Sequence, residues 1–171
     1  FHYRMRDIIR TAPNPGPGTP LIYLNTAGQT GRGLELDARW DIDRRLRLSG
    51  NYAYQQARDA ATGQEAGNVP RHAMYARLDW RFAERWWLSP QLNLVGERPR
   101  APGDARAPLK GYAAVDLNLR AELGSGWSVS AVVRNAFDAD VREPSQAPGL
   151  NLPGDLPMGG RAVYLQAVYR M

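Results

Sequence analysis

Between Gly31 and Tyr54 the sequence GRGLELDARWDIDRRLRLSGNYAY alternates with a period of two, twice, about one short polar corner. Leu34, Leu36, Ala38, Trp40 and Ile42 share one parity, and Glu35, Asp37, Arg39 and Asp41 share the other. Period two places the two sets on opposite faces of a strand, whereas a helical stripe recurs at about 3.6 residues. After Asp43-Arg44-Arg45 the pattern resumes, with Leu46, Leu48, Gly50, Tyr52 and Tyr54 against Arg47, Ser49, Asn51 and Gln55, so the stretch reads as an antiparallel hairpin. A soluble sandwich also alternates. A face carrying Glu, Asp, Arg and Asp in succession nevertheless suits a wet lumen better than the solvated side of a soluble sheet.

The bulk properties leave both readings open. With 171 residues the chain is of one-domain size. A mean hydropathy of −0.50 and the lack of any run of about 18 apolar residues argue against a membrane helix. They do not argue against strands that cross a membrane with only alternate positions apolar. The net charge of +5 is carried by arginine, Lys110 being the only lysine. Because the arginines interleave with carboxylates along the strands, the excess reads as ion-pair chemistry and not as a nucleic-acid surface. The absence of cysteine removes disulfides and thiolate chemistry. The chain opens on FHYRMRDII without a leader, which reads as a fragment or processed product.

Taken in order, the same alternation predicts about eight strands. Phe1–Arg10 is the first, and Thr11–Pro20, with four prolines and two glycines, is expected to be a loop unable to join a ladder. A strand-like run from Leu21 is expected to bulge or bend at Gly28, Gly31 and Gly33 before the central hairpin. Further strands follow at about Arg71–Phe82, Trp86–Arg98, Gly111–Leu123, Trp127–Asn135 and Gly160–Met171. Short corners at Asp43, Ala83 and Gly124 alternate with long loops beginning at Thr11, Arg58, Pro99 and Ala136. Transmembrane barrels have this rhythm of short periplasmic turns and longer external loops. Trp40, Trp80, Phe82, Trp86, Trp87 and Trp127 lie beside the short corners, where an interfacial girdle is expected.

Little in the chain has the spacing of a reaction site. His2 and His72 are far apart with no ligand cluster around them, so no metal and no cofactor is expected. No serine sits in a nucleophile elbow, and an enzyme is not expected. The charged strand faces, which include Glu35, Asp37, Arg39, Arg77, Asp79, Asp116 and Arg120, read as a lumen wall whose opposite charges pair across neighbouring strands.

Six short pieces stand in a familiar order: NTAGQTGRGLELD, YAYQQARD, NVPRH, LVGERPR, LKGYAAVDLNLR and VVRNAFD. Together they resemble the C-terminal part of a TonB-dependent outer-membrane receptor, most like the siderophore-receptor branch, across essentially the whole chain. The resemblance implies an all-β antiparallel meander of about eight long strands, a segment of a transmembrane β-barrel of roughly 22 strands. Residues 1–171 would be the C-terminal part of that barrel, the plug and earlier strands being absent. It implies a bacterial outer-membrane location and uptake of a scarce ligand, most simply a ferric siderophore. The partners implied are outer-membrane lipid, that ligand and the TonB complex through the missing N-terminal part. His72, in NVPRH, takes a structural role at the start of a strand. The family usually ends in an aromatic residue; here Met171 is last and Tyr169 stands two residues before it. Arg98, Arg100 and Arg106 cluster in one external loop and are the expected contacts for an anionic chelate. A free-standing eight-stranded barrel with a structural or adhesion role is the competing expectation, and it requires the first and last strands to pair.

Overall fold

The computed structural model of the protein describes residues 1–13, 16, 18, 21–145, 152 and 154–170. Eight strands form one antiparallel sheet: β1 (His2–Pro13), β2 (Leu21–Asp41), β3 (Leu46–Asp59), β4 (His72–Ala83), β5 (Trp86–Val95), β6 (Tyr112–Gly124), β7 (Trp127–Arg134) and, last, β10 (Ala162–Tyr169). The two-residue strands β8 (Arg142–Glu143) and β9 (Leu156–Pro157) pair with each other inside the loop between β7 and β10. Each long strand lies beside its sequence neighbour, as a meander requires. β1 pairs only with β2 and β10 only with β7, so among the described residues the sheet is open and no narrow barrel closes.

The registers carry the alternation across the sheet without mixing its faces. Leu48 lies opposite Trp40 and Leu78, and Tyr52 lies opposite Leu36 and Met74. Further along, Leu117 lies opposite Pro90 and Val133, and Val133 opposite Val163. The other face runs from Asp37 to Asn51, Tyr75 and Asn93, and from Arg39 to Ser49, Arg77, Gln91 and Asp116. Because opposed residues point to the same side, these rows make one apolar and one polar face.

No described residue packs across the apolar face. Among the described residues only Leu109 and Ala121 are buried hydrophobics, whereas Leu165 is 81% exposed, Trp40 64% and Val163 64%. A soluble sandwich would bury these side chains against a second sheet, and a continuous exposed apolar face of this width is what a lipid-facing barrel wall presents. On β3 the outward run Leu46–Tyr54 matches the length of about 9–11 residues that a tilted strand needs to cross the hydrocarbon.

Aromatic side chains mark one margin of this band. Trp80 and Phe82 are 5.6 Å apart, Phe82 and Trp86 6.3 Å, and Trp127 and Tyr169 5.0 Å, all beside the short corners. Trp87 is the exception to the expected girdle. It lies opposite Arg120 on the polar face, with the Arg81 and Arg120 guanidinium carbons 5.6 and 5.5 Å from its ring. Two adjacent tryptophans on one strand cannot share a face, and Trp86, on the parity of Leu88, takes the outward place.

Two loop expectations are corrected. Thr11, Ala12 and Pro13 pair with Tyr23, Ile22 and Leu21, so the ladder continues into the proline-rich stretch. Proline lacks only a donor and can hold the terminal rung of a strand. Nor does β2 break at Gly31 or Gly33, since its pairing with β3 is continuous from Gln29 to Asp41, while at Gly28 the ladder with β1 skips Asp7 and Ala27. Gly28 (φ 144°) is needed for close approach: a Cβ there would lie 2.4 Å from the Met5 carbonyl oxygen. Met171, expected to end the last strand, lies outside the described residues.

Candidate functional site

The long connections β1–β2, β3–β4, β5–β6 and β7–β10 all leave from the same end of the sheet, opposite the short corners. At that end the connection 96–111 folds against the connection 135–161, and the three arginines singled out in the sequence form the seam. Arg98 forms an isolated antiparallel bridge with Leu109. Its guanidinium donates to Glu143 Oε2 at 2.6 Å and to the Arg142 carbonyl, and lies 5.9 Å from the Tyr112 ring. Arg100 forks onto Asp155, Nη1 to Oδ1 and Nη2 to Oδ2, both at 2.7 Å, and donates through Nε to the Ala107 carbonyl at 2.7 Å. Arg106 grips Asp104 at 2.6 Å and reaches Ser145 Oγ and the Ser145 carbonyl at 2.9 Å each.

Asp155 is the hub. It is 7% exposed, accepts from both Arg100 nitrogens, from Arg106 Nη1 at 3.3 Å and from the Ser145 backbone N–H at 3.1 Å. The hydrogen bonds from Arg100 hold its carboxyl far below the usual carboxylate range against the opposing effect of burial, and the Ser145 N–H adds to them. Asp104 is likewise lowered, first by its bonds from Arg106. The pairing raises Arg100 and Arg106 in return. Arg142 is held by Asp140 at 2.9 Å and donates to the Gly154 carbonyl at 2.6 Å. The arrangement is a charge-neutralised clasp between two loops, built from bidentate arginine geometry.

Asn135 hinges the second of these loops onto the sheet. Its backbone N–H donates to Asp116 Oδ1 at 2.8 Å, and its side-chain amide exchanges hydrogen bonds with Ala139 at 2.9 and 2.8 Å. Asp116 therefore anchors a loop as well as lining the polar face.

The other polar-face residues fall together by register. Glu35, Asp37 and Arg39 lie opposite Ala53, Asn51 and Ser49, while Arg77 and Asp79 lie opposite Ser49 and Arg47. Arg120 lies opposite Trp87 and Ser130. Their ion pairs run mainly along strands and less across them: Arg77 to Asp79 at 2.7 Å, Arg120 to Glu122 at 2.9 Å and Arg39 to Asp41 at 3.4 Å are same-strand pairs, and Arg47 to Asp41 crosses. His72 begins β4 and meets Tyr52 Oη through Nδ1 at 2.7 Å on the apolar face, a packing role. Among the described residues no group of three or more His, Asp or Glu is arranged to hold a metal.

Asp155, Ser145, Glu143 and Asn135 were not singled out in the sequence. Asn135 stands in VVRNAFD, a visible motif, but Asp155 lies within a Pro/Gly-rich stretch 55 residues from Arg100, and nothing local marks it.

Comparison with known proteins agrees with this geometry. The family model described as TonB dependent receptor-like, beta-barrel matches residues 1–136. No curated protein matches the sequence. The ferric enterobactin receptor (PfeA) of Pseudomonas aeruginosa, in a mutant form in complex with enterobactin, superposes with a TM-score of 0.73 at 21% identity, over 97% of this chain and 27% of that one. The copper transporter OprC superposes with a TM-score of 0.73 at 17% identity, over 96% of this chain and 27% of that one. FpvAI, from a complex with pyocin S2, gives 0.68 at 15% identity, over 97% of this chain and 22% of that one. The chain thus spans about a quarter of the length of the structures it resembles.

Proposed function

Because the chain belongs to the TonB-dependent receptor-like β-barrel family and is an outer-membrane protein, we propose that it is the C-terminal barrel wall of a receptor for TonB-energised uptake of a scarce ligand, most simply a ferric siderophore. The observation that carries this reading is the family match over residues 1–136 on an open sheet with one exposed apolar face and one charged face. Energy would come from the TonB complex through a part of the receptor other than this chain. Glu35, Asp37, Arg39, Arg77, Asp79, Asp116 and Arg120 then face the lumen.

Arg98, Arg100 and Arg106 enter the proposal in an altered form. Each already holds a carboxylate or carbonyl, so an anionic chelate reaching this rim meets a neutral clasp and contacts it at Arg106, whose side chain is 27% exposed against 4% and 9% for Arg98 and Arg100. The fold likeness to both an enterobactin receptor and a copper transporter supports a test with both cargo classes.

The experiment is uptake by cells expressing the intact receptor in a strain stripped of its other receptors. Radiolabelled ferric catecholate and hydroxamate siderophores are compared with a copper salt, with and without an active TonB complex. TonB-dependent accumulation of one ferric siderophore is the expected result. TonB-dependent copper accumulation without siderophore uptake would replace the cargo, and uptake independent of TonB would overturn the reading. Lumen facing is tested separately by single cysteine substitutions in this stretch, which contains no cysteine of its own. Cysteine at Asp37 is expected to react with a hydrophilic thiol reagent and cysteine at Leu36 is not.

A further inference from the structure

Two buried carboxylates organise the loop end of the sheet, and Asp155 is only one of them. The other, Asp59, closes β3 and is 2% exposed. It pairs with Arg10 on β1 and accepts from the backbone N–H groups of Ala61 and Thr62 at 2.9 Å each. The Ala60 N–H donates to the Gly28 carbonyl on β2 at 3.0 Å, and the Ala66 N–H to the Ala57 carbonyl at 3.0 Å. Glu65 is taken by Arg71, whose carbonyl accepts from the Gln55 N–H at 2.9 Å. Residues 58–71 are thereby fixed to β1, β2 and β3 as one body. The clasp described above makes a second body of the connection 96–111 and residues 135–145 and 154–161.

The contact between the two bodies is of a different kind. Among the described residues no ion pair crosses it, and one hydrogen bond joins residues 58–71 to the 96–111 connection: the Asn68 N–H donates to the Pro99 carbonyl at 2.6 Å. Gly67 and Asn68 are consecutive left-handed residues, with φ 76° and 61°. Gly67 is needed there twice over, for its φ and because a Cβ would overlap the Ala101 backbone. Beside this contact lies a cavity of about 20 Å³, bounded by Glu65, Gly67, Val69, Arg71 and Pro99, enough for one water. Charge-assisted hydrogen bonds are roughly twice as strong as neutral ones. Opening either hub would also leave a buried charge without its partner, whereas parting Gly67 and Asn68 from Pro99 and Ala101 strands none.

We propose that the loop end is a two-body device that parts at one joint, Gly67–Asn68 against Pro99–Ala101. Local opening follows the segment with the fewest and weakest ties, and here that is the joint and not either hub. The two later connections then swing as one lid, because the Asp155 clasp denies them separate motion, while residues 58–71 stay with β1–β3. The device is a property of the loop contacts and is independent of which cargo the receptor carries.

The test measures distances between paired spin labels in the intact receptor, any other cysteine being replaced by serine. Ala61, Ala105 and Met158 are exposed and carry the labels through cysteine substitution. The pair at 61 and 105 spans the joint, and the pair at 105 and 158 lies within the second body. With no further substitution, the first pair is expected to show two separations and the second pair one. A single narrow separation across the joint overturns the proposal, and so do two separations within the second body; neither result depends on a variant that must fold. Gly67→Ala is expected to raise the ratio of the longer to the shorter separation across the joint by about fivefold, the weight of one neutral hydrogen bond, without changing the pair at 105 and 158. Asp155→Asn is expected to give that second pair a second separation. A folded G67A receptor with an unchanged ratio, or a D155N receptor whose second body stays single, also overturns the device.

Discussion

The arginines of the last two long loops and those on the outer half of β1–β3 share a side chain and differ in everything around it. Arg98, Arg100, Arg106 and Arg142 are met by Glu143, Asp155, Asp104 and Asp140 within 2.9 Å. Arg4 and Arg58 flank Thr30 on a sheet face where no described ion pair includes either of them, the acid opposite Arg58, Glu65, being held by Arg71. The difference teaches that a basic cluster seen in sequence is not evidence of an anion site until its carboxylates have been located. In the loops the chain itself supplies the anion, and the charge is used to tie loop to loop. On the strand face the acid opposite Arg58 is taken by Arg71, and the charge of Arg4 and Arg58 is left for whatever lies alongside.

The sharpest way to break this comparison is to place an arginine where neither a carboxylate nor a headgroup can reach it. Leu117 sits midway along β6 on the apolar face, opposite Pro90 and Val133, while Asn118 faces the other way, opposite Ser89 and Val132. Leu117→Arg in the intact receptor is expected to cost about 2–4 kcal/mol and to reduce the heat-modifiable folded fraction, whereas Asn118→Arg is tolerated. Equal tolerance would mean that the face assignment, and with it the lipid-side placement of Arg4 and Arg58, is wrong.

The next effect is in the clasp. Asp155→Asn keeps the shape of the hub and removes its charge, leaving Arg100, 9% exposed, without an anion. An expected loss of about 2–3 kcal/mol, in the range of charged hydrogen bonds, falls on the loops and not on the sheet. It is read as faster amide exchange at Arg98 and Leu109, whose backbones bond each other at 2.9 Å, with β6 and β7 unchanged. Acid should reproduce it with a defined sign. Asp155 is held below its ordinary value of 3.8, so the folded clasp binds fewer protons than the open one. Its stabilisation is complete above about pH 4 and lost as pH falls from there toward the lowered folded value. Protection of the seam is therefore expected to be flat from pH 8 to pH 5 and to fall only in stronger acid. Loosening near pH 6 would assign the clasp to some other group.

Much of this architecture was legible in the sequence because a strand states its two faces through parity. The central hairpin and the order of short corners and long loops follow from runs such as Leu34–Ile42 and Leu46–Tyr54 read together, whereas the open edges were implied by the family resemblance, because eight strands can also close. Parity covers Trp87 too, since it shares the odd positions of Ser89, Gln91 and Asn93; only its nearness to a short corner placed it in the expected girdle. Parity cannot orient a strand whose apolar set faces the wrong way: Phe1 and Tyr3 alternate with His2 and Arg4 regardless of which pair meets Gly31 and Gly33. The clasp was half legible. Its arginines were visible as a cluster, but their carboxylate partners Glu143 and Asp155 lie 45 and 55 residues on, and only the fold brings them together.

The smallest expected effect is the one that separates the two arginine sets most cleanly. If Arg4 and Arg58 hold no anion within the protein, replacing both by glutamine removes no interaction that the folded state depends on. They stand two strands apart, one on each side of Thr30, so any repulsion between them is weak and screened by salt. In a bilayer of zwitterionic phospholipid alone, R4Q/R58Q is therefore expected to match the unaltered protein within about 0.5 kcal/mol. Adding anionic phospholipid should favour the unaltered protein, because each arginine near an anionic surface gains about 1 kcal/mol. Urea unfolding of the two proteins in both bilayers measures this directly. A double variant less stable than the unaltered protein in the zwitterionic bilayer would reveal an internal partner for these arginines and erase the contrast with the clasp.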